Sequence, residues 1–133
     1  MNKYNYLQEQ KDYNKFSKFK YKVTNAKKFR ILNKYANSKN HFIRCELAIN
    51  KNCPIEILEK LSNDKHRAVR AWVAKNINCT KAIFEKLVED NYIDIHYSLI
   101  NNKNCSFEVL KILYEKYDSY KEDITYHPNW KLI

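Results

Sequence analysis

The chain contains no glycine, and its 133 residues include only two prolines and one methionine. Without glycine no loop can wrap bare backbone around a phosphate, which excludes the dinucleotide fingerprint and the P-loop; the nucleophile elbow and the Asn-Gly hairpin go with them. No apolar run approaches the roughly 18 residues of a membrane span, and mean hydropathy is -0.75, so no membrane association is expected. Met1-Asn2-Lys3 is followed by Tyr4-Asn5-Tyr6-Leu7-Gln8-Glu9, which is no apolar secretion core. The expected compartment is the cytoplasm, where the four cysteines stay reduced.

Acidic residues are scarce at one end. Residues 1 to 40 hold ten lysines and Arg30 against Glu9 and Asp12, a net of +9, which leaves +1 of the total +10 for residues 41 to 133. Such a balance favours an acidic partner and says nothing of fold. Within the basic segment Lys11, Lys15, Lys18, Lys20, Lys22, Lys27, Lys28 and Arg30 alternate with aromatic residues such as Tyr13, Phe16, Phe19, Tyr21 and Phe29. Cations that neutralise phosphates beside rings that stack on bases are the tools of single-strand binders. The same pattern suits an amphipathic capping helix, with Tyr6, Leu7, Phe16 and Phe19 laid on its neighbour. Residues 1–23 are accordingly assigned as a basic arm or cap, and 24–133 as the main domain.

What the chain has in plenty is repetition. Asn50, Asn76 and Asn102 lie 26 residues apart, as do Asn52, Asn78 and Asn104, Cys53, Cys79 and Cys105, and Leu61, Leu87 and Leu113. A fixed period of this length marks stacked supersecondary units. Further columns repeat in character: Ile43, Val69, Ile95; Leu47, Val73, Leu99; Ile57, Ile83, Val109; Leu58, Phe84, Leu110. Within a unit these positions fall at helical spacing on both sides of the Asn-x-Asn-Cys block, so each unit reads as two short helices. Ser38, Asp64 and Asp90 are expected as N-caps, and Asn50, Asn76 and Asn102 as left-handed C-caps in place of glycine. Pro54, Thr80 and Ser106 open the second helices. Thr24-Asn25-Ala26-Lys27 and His127-Pro128-Asn129-Trp130 read as degenerate end copies, as capping units require.

From Asp64-Lys65-His66-Arg67-Ala68-Val69-Arg70-Ala71-Trp72-Val73-Ala74-Lys75-Asn76-Ile77-Asn78-Cys79 on to Phe84 and Leu87, the chain resembles the leucine-rich repeat variant family. That unit reads Asp, Val-Arg, Val-Ala, Asn-Pro-Asn, a proline-opened helix and two leucines. The resemblance covers residues 38 to 113 well and 24 to 133 loosely. It implies an all-α, right-handed α-solenoid of about three 26-residue two-helix repeats with degenerate caps, akin to HEAT and armadillo arrays, acting as an interaction scaffold. The iron-sulfur cluster of the founding member is not carried over, because no cysteine precedes Cys45. The family's first turn proline is replaced by Lys51, Ile77 and Lys103.

Site chemistry is sparse. Cysteines in one column sit on helices about 8 to 10 Å apart, too far to share a metal or form a disulfide, so Cys53, Cys79 and Cys105 are expected to be buried thiols and no cofactor or metal is expected. His41, His66, His96 and His127 show no metalloenzyme spacing, and no nucleophile is paired with a base. A base-excising, HEAT-like DNA glycosylase would need a longer groove than three repeats supply. Arg44, Arg70 and His96 share a column, as a ladder to Ser38, Asp64 and Asp90 or as a stripe facing a ligand. Glu46, Trp72 and Ser98 share a column whose chemistry changes between units, so it is expected to face outward with Trp72 as a partner contact; otherwise Trp72 packs across a neighbouring helix. The expected function is a non-enzymatic interaction module binding an acidic protein, as an adaptor or as an inhibitor of a nucleic-acid-handling complex of the kind phages encode. Sequence-nonspecific nucleic-acid binding through the arm and the repeat surface is the alternative.

Overall fold

A computed structural model describes residues 7–11, 14 and 26–131, and among them all regular structure is helical. The elements are α1 (Ala26–Ala36), α2 (His41–Ile49), α3 (Ile55–Leu61), α4 (Arg67–Lys75), α5 (Lys81–Leu87), α6 (Ile93–Asn101) and α7 (Phe107–Lys116), followed by a 3-10 turn (Asp118–Tyr120) and α8 (Lys121–Thr125). Residues 7–11 are helical as well. Lys15, Lys18, Lys20 and Lys22 of the arm lie outside the described residues.

The units are α2 with α3, α4 with α5, and α6 with α7. First helices pack on first helices, α2 against α4 and α4 against α6, while α1 covers α2 and α3. The apolar columns make this core: Ile43, Val69, Ile95, Leu47, Val73, Leu99, Ile57, Ile83, Val109, Leu58, Phe84 and Leu110 are each at most 1% exposed. Helices of nine and seven residues are too short to persist alone, so their stability comes from this packing.

The repeated asparagines do a different job from the one their position suggests. Asn50, Asn76 and Asn102 close their helices in extended backbone, at φ -65°, -69° and -85°, and no described residue has positive φ. The side chain of Asn50 accepts from Asn52 N at 2.8 Å within its own turn, whereas those of Asn76 and Asn102 also bridge units. Asn76 Nδ2 donates to Ala48 O at 2.7 Å and Asn50 O at 3.0 Å in the preceding unit. Its Oδ1 accepts from Asn78 N at 2.8 Å. Asn102 repeats the pattern on Ala74 O at 2.8 Å, Asn76 O at 3.0 Å and Asn104 N at 3.0 Å. A second rung follows, with Asn78 Nδ2 donating to Lys51 O and Asn104 Nδ2 to Ile77 O. An amide suits this place because one side chain satisfies carbonyls of one turn and an N–H of the next.

The terminal copy keeps the chemistry with another residue. His127 Nε2–H donates to Asn102 O at 2.8 Å and Nδ1 accepts from Asn129 N at 3.0 Å, while Asn129 Nδ2 reaches Lys103 O at 2.8 Å. The imidazole thus substitutes for the asparagine amide, and one tautomer is selected. The expected N-caps also move. The caps are Asn40, His66 and Tyr92; Ser38, Asp64 and Asp90 sit two residues earlier. They accept from Asn40 N at 3.1 Å, His66 N at 2.8 Å and Tyr92 N at 3.0 Å, closing the turn before the helix.

Candidate interaction surface

The basic column is a ladder between units and not a solvent-facing stripe. Arg44 holds Asp64 of the next unit through Nε–Oδ2 at 2.7 Å and Nη2–Oδ1 at 3.0 Å, and its Nη1 donates to Ser38 O at 2.6 Å. Arg70 holds Asp90 at 2.7 Å and donates to Asp64 O at 2.8 Å. Residue 116 in the acidic column is a lysine, and the third unit carries no arginine. His96 takes its place, with Nε2–H donating to Asp90 O at 2.6 Å and Nδ1 accepting from the Tyr120 hydroxyl at 3.2 Å. Arg44 and His96 are 4% and 2% exposed, which leaves only Arg70 of the three half-buried and within reach of solvent. Burial pushes the Asp90 carboxyl upward, but hydrogen bonds from Arg70 and Tyr92 N and the Arg70 charge outweigh it and hold the group below its ordinary value. At the start of the ladder Ser38 Oγ donates to Glu9 at 2.9 Å, which seats the N-terminal segment on the first unit.

The remaining cations of the arm differ in setting. Lys11, Lys27 and Arg30 are exposed and Lys28 is half-buried. The outer surface of the second helices is laced with ion pairs, Lys81 to Glu85 at 4.0 Å and to Glu108 at 3.6 Å, and Lys111 to Glu115 at 3.7 Å. Exposed pairs of this kind mark a solvated face.

The first helices present a different surface. Phe42 and Ile49 on α2, Trp72 on α4 and Tyr97 on α6 are exposed, and Trp72 retains 37% exposure. The column of Trp72 splits: Glu46 faces solvent, whereas Ser98 is buried and donates to Asp94 O at 2.6 Å, because a hydroxyl can return to its own helix backbone. Beside Trp72 a cavity of about 350 Å³ is lined by Ala68, Ala71, Tyr92 and Tyr97 among others. Lys75 Nζ lies 4.3 Å from the Trp72 ring centroid and the Arg67 guanidinium 4.7 Å from that of Tyr92. Tyr92, Tyr97, Arg67 and Lys75 escaped the sequence reading, although aromatic residues at variable columns were a signal for two of them.

All four cysteines are buried free thiols. Burial pushes Cys53, Cys79 and Cys105 up to about 12, so they are neutral at physiological pH. Cys79 Sγ donates to Val73 O at 2.9 Å, and no metal-ligating group of three side chains occurs among the described residues. No described helix is long and apolar enough to cross a membrane.

Two histidines meet between α2 and α4. His41 and His66 stack with centroids 3.9 Å apart, and His66 Nδ1 accepts from Ala68 N at 3.2 Å as the cap of α4. Burial, then the neighbouring His41 and Arg44, lower the His66 pKa. The unfolded chain therefore takes the proton first, at about pH 6.5. The cap's contribution is complete above that pH and is lost as pH falls below it. The thermal midpoint is expected to drop on acidification from about pH 7.5 to about pH 5.5, and His66→Asn, which caps as Asn40 does, is expected to reduce that drop.

No family model matches the chain, and no curated protein or solved structure does so either.

Proposed function

We propose that the chain is a non-enzymatic interaction module in the cytoplasm, a right-handed α-solenoid of the leucine-rich repeat variant kind, which binds a protein with an acidic surface. The observation that carries the reading is a division of labour among columns. Repeated polar residues are consumed between units, Asn76 on Ala48 and Asn50 and Arg44 on Asp64, while the aromatic residues of the first helices stay exposed without repeating. Side chains that the stack does not require, on a face that carries no exposed ion pair among the described residues, are available to a partner. The lysine-rich N-terminal segment steers an acidic partner toward this face.

Direct nucleic-acid binding is the second reading, favoured by the net of +9 over residues 1 to 40 against +1 over the remainder of the +10 total. Affinity capture from the native host with and without nuclease separates the two. A protein retained after nuclease treatment is expected; loss of all bound material would favour the nucleic-acid reading.

A further inference from the structure

The groove between α4 and α6 differs from its counterpart between α2 and α4 in ways the stack does not demand. One period earlier, Tyr92 and Tyr97 correspond to His66 and Ala71, so the aromatic walls belong to this groove alone. Its floor is Ala68 and Ala71, its walls Trp72, Tyr92 and Tyr97, and its cavity of about 350 Å³ holds one large apolar side chain with adjoining backbone. The flanking cations are equally specific to the unit: His41 and Ile93 share the column of Arg67, and Ile49 and Asn101 that of Lys75.

Neither Arg67 nor Lys75 has an ion-pair partner among the described residues, in contrast to Arg44 and Arg70. Lys75 lines the cavity and rests over the Trp72 ring, and Arg67 rests over the ring of Tyr92, one of the cavity walls, so a ligand carboxylate at the groove has both cations within its neighbourhood. A continuous phosphate chain fits less well, because Glu46 and Asp94 are exposed on the same run of first helices and would face it. Asp94 lines the cavity as well, so a ligand carboxylate is directed away from it and toward the Lys75 and Arg67 side.

From these residues we infer that the groove between α4 and α6 binds a short acidic peptide segment. One apolar side chain inserts between Trp72 and Tyr97, and neighbouring carboxylates engage Arg67 and Lys75. The inference rests on the proposal that the partner is an acidic protein and names the part of it that is held.

The test uses the full chain and fluorescent peptides with a central Leu, Phe or Trp flanked by Asp. Controls replace the central residue with Ser or the Asp residues with Lys, and a short oligothymidylate is run beside them. At least one acidic, apolar-anchored peptide is expected to bind about tenfold or more tighter than its Ser control. Trp72→Ala and Lys75→Glu should each weaken it by a similar factor, with unchanged thermal midpoints. Peptide binding insensitive to both substitutions would overturn the groove and leave the acidic-protein reading standing. Oligothymidylate binding without any peptide binding would overturn both. Absence of binding by every acidic peptide would overturn the groove.

Discussion

Asp64→Ala is expected to lower folding stability by about 3 to 5 kcal/mol, the range for removing one partner of a buried ion pair. The side chains of Arg44 and Asp64 are 5% and 8% exposed, so each depends on the other far more than on solvent. The substitution also frees the His66 N–H, which Asp64 Oδ1 accepts at 2.8 Å. Asp90→Ala should cost less, because the Arg70 and Asp90 side chains retain 21% and 19% exposure and the abandoned guanidinium can be hydrated. Equilibrium denaturation of the two variants measures the difference. Equal losses would mean that the ladder is not graded by burial.

Asn76→Ala is expected to be comparably damaging. Asn76 is 1% exposed, and its amide bonds Ala48 O, Asn50 O and Asn78 N. Each buried group left unsatisfied costs about 1 to 3 kcal/mol, so a loss of about 3 kcal/mol or more follows, measurable by urea denaturation. Asn101→Ala, one residue before the next rung and exposed, should change stability by less than about 0.5 kcal/mol. Asn76→His offers a stricter check. Since His127 makes the same two kinds of bond with its ring nitrogens, histidine should recover part of the loss. A histidine variant no better than alanine would show that the terminal rung is not equivalent to the inner ones.

The helical composition and the packing columns were legible in the sequence because periodicity reports directly which side chains share a face; Leu58, Phe84 and Leu110 are nearly inaccessible as that spacing requires. The end copy at His127 was legible too, even at a spacing of 25 residues. Hydrogen-bond partners were less so. Ser38, Asp64 and Asp90 are good capping residues, but the helices begin later, and the chain uses those residues to close the preceding turn. For Asn50, Asn76 and Asn102 local preference favoured a left-handed cap, whereas the deciding contacts of the latter two lie 26 and 28 residues away. Along one chain such a contact has no signature beyond identity at a fixed period. The basic column shows the same limit: Arg44 reaches forward to Asp64 as well as back to Ser38. The outward column held for Trp72 and failed at Ser98, since a small hydroxyl fits where an indole cannot. The groove walls at Tyr92 and Tyr97 emerge only when consecutive first helices are set side by side.

In the proposed module the repeated polar columns hold the units together and the exposed first-helix face binds the partner. Melting curves and nuclease-treated partner capture, run in parallel on Trp72→Ala and Arg70→Ala, test it most directly. Trp72→Ala is expected to melt with the wild type and no longer retain the partner, while Arg70→Ala melts earlier. A Trp72→Ala protein destabilised by about 3 to 5 kcal/mol that still captures the partner would contradict it.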